Sequence, residues 1–291
     1  MPGKITIHST LLFVTLIYGF NYTVAKFVMP AYLEPFGFIV FRIASATLLF
    51  WLLSSITGTD KIKSRKDFGL LFLCGLFGVA TNQLLFFKGL SLTNPINGSV
   101  IMTTSPIMVM IVAYALGKES ITVKKSIGFF IGAVGAYLLL TKDGVSLSKG
   151  TFLGDLLILI NGSSYAVYLV LVKPLMAKYK SITVIKWVFL FGGIIAFPFG
   201  ISELSTVNWT IIPVTIWLYI GFVIIAATFL VYLLNVWTLK FVNSSLVGSY
   251  IYLQPVFATL VAVAFRGDQL DVLTILYSLV IMLGVYLVSQ K

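Results

Sequence analysis

Residues 104–116, TSPIMVMIVAYAL, recur in altered form as residues 253–265, LQPVFATLVAVAF, and the wider stretch from Leu90 to Leu138 recurs at Leu239 to Leu287. Setting Pro106 on Pro255 gives an offset of 149. The same offset brings Leu90 onto Leu239, Asn94 onto Asn243, Ala113 onto Ala262, Ala115 onto Ala264, Val123 onto Val272, Gly135 onto Gly284 and Tyr137 onto Tyr286. Apolar coincidences are cheap in a hydrophobic chain; shared Asn, Pro, Gly and Tyr are not. The chain therefore reads as two copies of one unit, residues 9–141 and 152–289.

The 291 residues are 59% hydrophobic and 10% charged, with a mean hydropathy of +1.05. Soluble chains average roughly 45–50% apolar and about 25% charged. Strand alternation is absent, and apolar runs recur at about 9–29, 35–56, 67–88, 94–116, 122–141, 152–173, 182–202, 212–237, 243–265 and 270–289. Each is long enough to cross a hydrocarbon layer of about 30 Å as a helix, so the expected fold is an all-α polytopic membrane protein with ten spans. The connections are short, the longest being Thr57 to Lys66 and Lys142 to Thr151. Lys4 followed by Leu11 to Ile17 looks superficially like a leader, but no small-x-small cleavage site follows, and the segment reads as a retained first helix. The single cysteine, Cys74, excludes an intramolecular disulfide and any Cys-based metal cluster.

Ten spans place both termini on one side, and the positive charges choose which. The terminal side carries Lys4, Lys61, Lys63, Arg65, Lys66, Lys118, Lys124, Lys125, Lys173, Lys178, Lys180, Lys240 and Lys291, thirteen of the twenty Lys and Arg. The opposite side holds Lys88, Lys142, Lys149 and Arg266. Both termini are thus expected in the cytoplasm, in a membrane of the bacterial inner (plasma) type. The net charge of +11 then reflects acidic headgroups of the lipid bilayer rather than nucleic acid, which would need a contiguous basic face on a soluble scaffold. Five spans per half is odd, so the second unit inserts upside down relative to the first. Inverted repeats of this kind build alternating-access transporters.

Particular residues resemble the drug/metabolite transporter superfamily, and within it the EamA-like ten-helix carriers. The first half shows Tyr18-Gly19-Phe20-Asn21-Tyr22, Phe41-Arg42, Phe86-Phe87-Lys88-Gly89-Leu90, Ser105-Pro106 and Gly117-Lys118-Glu119-Ser120. The second shows Gly154-Asp155-Leu156, Gln254-Pro255 and Arg266-Gly267-Asp268-Gln269. The resemblance implies export or exchange of small metabolites such as amino acids. It also implies a central cavity made by spans 1–4 and 6–9, with spans 5 and 10 as outer supports.

Charges inside a span cost about 2.5–3.5 kcal/mol each at the helix centre. Lys186 lies four residues into the seventh span, where snorkelling absorbs it. Lys26 lies near the outer end of the first span, and either snorkels or faces the cavity. Arg42 lies seven residues beyond Pro35, roughly 10 Å deep at 1.5 Å per residue, where its guanidinium either forks onto a carboxylate or ties to backbone carbonyls. None of the nine Asp and Glu sits deep in a span, so the shared carboxylate that a pump for lipophilic cations needs is missing.

Neutral polar groups complete the candidate lining. Asn21 with Tyr22 in the first span, Asn161 and Ser164 with Tyr165 in the sixth, and Tyr250 with Gln254 in the ninth are cavity-wall candidates or interhelical hydrogen-bonding groups. Pro106 and Pro255, near the middle of spans 4 and 9, are candidate hinges because each deletes a backbone hydrogen bond. Gly128, Gly132 and Gly135 carry the small-residue spacing of close helix contact.

These features favour a secondary carrier of small polar metabolites. The rivals are a membrane-embedded enzyme, a structural or sensory membrane protein, and a drug-efflux carrier. One histidine, His8, no HExxH, no buried acid pair and no GxxxxGK[ST] loop leave no catalytic residues, no metal and no cofactor to expect. A small-molecule substrate is the expected partner, and monomer and homodimer both remain open.

Overall fold

The computed structural model describes residues 2–92, 101–141, 152–257, 260–261 and 272–290, with the side chains of 22, 23, 26, 90, 91 and 140 outside that description. The described residues form helices and turns. The first half contains α1 (Lys4–Val28), α2 (Pro35–Thr57), α3 (Arg65–Gly75) running through a π-helical turn (Leu76–Thr81) into α4 (Asn82–Leu92), α5 (Ser105–Ala115) and α6 (Val123–Thr141). The second contains α7 (Phe152–Lys178), α8 (Ser181–Ser205), α9 (Val214–Ile224) running through a second π-helical turn (Ile225–Leu230) into α10 (Val231–Thr238), α11 (Ser244–Ser249) continued by a 3-10 turn (Tyr250–Leu253), and α12 (Val272–Ser289). Among the described residues, six helical stretches are long and apolar enough to cross a membrane: Pro35–Thr57, Arg65–Gly89, Phe152–Lys178, Ser181–Ser205, Val214–Thr238 and Val272–Ser289.

The sequence offset reappears in the backbone. The first residues of α3, its π turn, α4 and α6, namely Arg65, Leu76, Asn82 and Val123, map by 149 onto Val214, Ile225, Val231 and Val272, the first residues of α9, its π turn, α10 and α12. Each π turn carries one residue more than an α-helical turn and releases carbonyls to side chains. In the first, Phe77 O accepts from Ser164 Oγ at 2.6 Å and Gly78 O from the Tyr232 hydroxyl at 3.4 Å; beside the second, Val223 O accepts from Thr228 Oγ1 at 2.7 Å.

Contacts between the halves are reciprocal. Helix α1 packs on α9 and α10, and its counterpart α7 packs on α3 and α4. Helices α2 and α8 form an antiparallel pair whose ends cap one another: the Gly37 amide donates to Glu203 Oε2 at 2.8 Å, and the Lys180 amide to Asp60 Oδ2 at 2.5 Å. Gly200 permits the close approach, since a Cβ there would stand 2.2 Å from Phe36 O. Helices α6 and α12 pair in the same antiparallel sense, Gly128 against Gly284 and Val288, Gly135 against Ile281. A Cβ on Gly284 would meet the Gly132 nitrogen at 2.5 Å, so the glycine series serves packing.

Lys186 is 7% exposed, with Nζ 4.6 Å above the Trp51 ring and bonded to Thr59 Oγ1 at 3.2 Å, so its long side chain reaches past the end of α2 into the following connection. The ring face and the hydroxyl receive the ammonium there.

Candidate substrate cavity

A cavity of about 490 Å³ lies between the halves. Its mouth is formed by the α1–α2 connection, with Met29, Pro30, Glu34 and Pro35; its depth reaches Tyr165, Ala227, Tyr232, Ile251 and Gln254. Apolar and aromatic walls come from Tyr18, Phe86, Phe87 and Met102. Below it the bundle is closed by packed residues including Leu169, Val172, Leu239 and Val247, and by polar ties. Ser244 Oγ donates to Leu169 O at 2.8 Å, and Lys173 Nζ donates to Val242 O at 3.0 Å and to Asn243 Oδ1 at 2.9 Å.

Arg42 projects from α2 into this space and is only 7% exposed. Neither partner expected from sequence holds it. Its Nη2 donates to the side-chain oxygen of Gln83 at 2.5 Å, and Gln83 Nε2 in turn donates to the Tyr232 hydroxyl at 3.2 Å. An amide can hold a guanidinium without neutralising it, so the positive charge persists in the wall. Arg42 Nε has no hydrogen-bond partner among the described residues.

Two amides share that condition. Asn161 donates through Nδ2 to the Asn82 carbonyl, and Asn82 Nδ2 returns a bond to the Asn161 carbonyl at 3.5 Å, which pins α4 to α7. Asn161 Oδ1 is left without a partner among the described residues, as is Asn21 Oδ1 on α1. Buried polar atoms are almost always paired, and three of the unpaired ones stand on residues that line this one cavity.

Of the residues expected at the site, Asn21, Arg42, Asn161, Tyr165 and Gln254 line the cavity. Tyr250 does not. It sits in the 3-10 turn, 6% exposed, with its hydroxyl 2.5 Å from Nδ1 of His8 on α1. Tyr22 and Lys26 have side chains outside the described residues. Pro106 is the second residue of α5, directly after a turn at 103–104, and Pro255 follows the 3-10 turn Tyr250–Leu253. Both prolines thus stand where a span changes direction or winding. Tyr18, Gln83 and Tyr232 line the cavity as well, none of them among the wall residues the sequence points to. The signal for Gln83 and Tyr232 was their spacing of 149, hidden because the two residues differ.

The EamA-like transporter family matches residues 6–141 and again residues 152–290. The chain belongs to the EamA-like transporter family. It is therefore an integral membrane protein of a transporter family, not an enzyme. An uncharacterized transporter of Bacillus subtilis, YyaM, is 24% identical over 98% of this chain and 94% of its own. An uncharacterized transporter of Archaeoglobus fulgidus is 28% identical over 89% of each chain. A crystal structure of another protein superposes with a TM-score of 0.82 over 99% of this chain and 97% of its own, at 16% identity, which speaks to the fold alone.

Proposed function

We propose that this EamA-family member is a secondary carrier that exports or exchanges a small, polar, carboxylate-bearing metabolite, such as an amino acid, across the plasma membrane. The observation that carries the reading is Arg42, a buried cation on the cavity wall whose Nε is unpartnered among the described residues. A carboxylate offers that guanidinium a charge-assisted partner, and an amino group offers donors to Asn21 Oδ1 and Asn161 Oδ1. Glu34, the carboxylate of the described lining, is exposed at the mouth, where it cannot serve as the buried counter-charge of a lipophilic cation.

Transport proceeds by alternating access between two inverted five-span halves, with both termini and the Lys-rich connections in the cytoplasm. The antiparallel pairing of α2 with α8 and of α6 with α12 supports inversion, because each pair joins equivalent helices of the two halves. With the Lys-rich end inside, the cavity as it stands opens outward and Lys173, Ser244 and Asn243 close the inner end. Purified protein in liposomes loaded with labelled amino acids and related metabolites should exchange carboxylate-bearing compounds and leave their decarboxylated analogues behind. Equal exchange of the decarboxylated analogues would overturn the reading.

A further inference from the structure

A second concavity lies on the outer face of the bundle, away from the substrate cavity. It is a groove of about 550 Å³ along the α2–α8 pair, walled by Val40, Ala44, Trp51, Ile194 and Phe197 and deepened by Gly193. Its walls are exposed hydrophobic surface, 63% for Ile194 and 51% for Phe197. Thr47, the polar group in the lining, returns its hydroxyl to Ile43 O at 2.7 Å and makes no demand on an occupant. From Val40 to Trp51 the groove spans about 16 Å at 1.5 Å per residue, roughly half of a hydrocarbon layer of about 30 Å.

Its two ends differ in charge. At the Val40 end stand Glu34 and Glu203, the latter bonded to the Gly37 amide. At the Trp51 end, Lys186 lies over the Trp51 ring, Trp51 meets Trp187 at 5.3 Å between centroids, and Trp187 meets Phe68 of α3 at 4.9 Å. The connection leading into α3 brings exposed Lys61, Lys63, Arg65 and Lys66 to that end. The two neighbouring acids are engaged elsewhere, Asp60 by the Lys180 amide, and Asp67 by Lys178 Nζ and the Tyr179 hydroxyl, each at 2.8 Å. The four basic residues make no ion pair among the described residues.

We propose that this groove seats one anionic phospholipid, with an acyl chain along α2 and α8 and the phosphate on the basic connection beside Trp51. An apolar trough half a bilayer long, aromatic at its rim and cationic at that end, has the polarity of such a lipid. A second copy of the chain, docked side by side in the same orientation, would set two Lys-rich connections against each other in one leaflet, which like-charge repulsion opposes.

The test is native mass spectrometry of the delipidated full chain, given equal amounts of phosphatidylglycerol and phosphatidylcholine with matched acyl chains. One phosphatidylglycerol should be retained with about tenfold preference, an electrostatic margin that several basic side chains supply. Combined Lys61→Gln, Lys63→Gln and Lys66→Gln should reduce that preference to within about twofold while helicity and thermal stability stay unchanged. Ala44→Trp, which fills the groove from an exposed position, should remove retention of both lipids. Equal retention of the two lipids by the parent chain, an undiminished preference in the triple variant, or a protein dimer that Ala44→Trp dissociates would each overturn the proposal. If Ala44→Trp does not fold, the triple variant decides alone.

Discussion

Gln83 and Tyr232 occupy equivalent positions of the two halves, 149 residues apart, and the Gln83 amide donates to the Tyr232 hydroxyl at 3.2 Å. The same Gln83 side chain accepts from Arg42, so one amide joins the buried cation to the seam between the repeats. Gln83→Glu would place a permanent carboxylate on Arg42 and occupy the donors a substrate needs. The expected outcome is a protein that inserts and melts like the parent but exchanges carboxylate substrates about tenfold more slowly or worse. Gln83→Leu strands Arg42 Nη2 and should instead lower stability by about 1–3 kcal/mol, the cost of an unsatisfied buried group. Thermal melts set beside liposome exchange separate the two effects.

Arg42 itself tests substrate charge. Arg42→Lys keeps the charge but loses the fork, and Arg42→Ala loses both. Exchange of a carboxylate-bearing metabolite should fall in the first and fall further in the second, by about 10- to 100-fold for a charged hydrogen bond of roughly 1.5–3 kcal/mol. Lipophilic cations should be poor substrates of the parent. Vigorous drug-cation transport, or an Arg42→Ala variant of full activity, would leave Arg42 a structural anchor.

The duplication, the helical class and the membrane location were legible because they rest on summed properties: hydropathy over whole spans and a register shared by Pro106 and Pro255, Gly135 and Gly284. The place of Arg42 within a helix was legible for a similar reason, since α2 opens at Pro35 and its residues count along the axis. Its partner was not. Gln83 lies forty-one positions away on another helix, and only tertiary packing brings the two together. Tyr250 lies outside the cavity lining, against His8 242 positions away, a contact that hydropathy along the chain does not mark. The π turns escaped likewise: Leu76 to Thr81 and Ile225 to Leu230 share few residues, so their equivalence lies in the backbone.

Helices α6 and α12 are fastened by glycine, which makes their pairing testable apart from transport. Gly284→Leu would drive a Cβ within 2.5 Å of the Gly132 backbone, where no flexible side chain can yield. The pair must separate, and a loss of about 1–3 kcal/mol in stability is expected from overpacking. Neither helix contributes to the described cavity lining, so substrate affinity in the protein that remains folded should be unchanged. A thermal ramp with and without substrate reads both quantities.

Orientation can be read at the two ends of the α2–α8 pair. Thr206 follows α8 beside the Glu203–Gly37 cap, whereas Lys63 lies on the connection near the Lys180–Asp60 cap, and both are exposed. In a Cys74→Ala background, Thr206→Cys should react with a membrane-impermeant maleimide in intact cells, and Lys63→Cys only after permeabilisation. The opposite pattern would invert the topology and turn the cavity mouth to the cytoplasm.

The two prolines bear on how the cavity changes sides. Pro106 lacks an amide hydrogen just after the turn at 103–104, and Pro255 lacks one shortly after the 3-10 turn, so the winding of each span changes at the same register of its repeat. Alanine at either place restores a donor and allows the helix to run through. A continuous helix resists the bending that alternating access requires, so Pro106→Ala and Pro255→Ala should insert at parental levels, bind substrate with similar affinity, and exchange it several-fold more slowly. The combined variant should be slower than either alone, because the two breaks lie in different halves. Counterflow rates normalised to the amount of reconstituted protein measure this. Unchanged turnover in all three variants would make the prolines tolerated interruptions and shift the hinge to the π turns at Leu76–Thr81 and Ile225–Leu230.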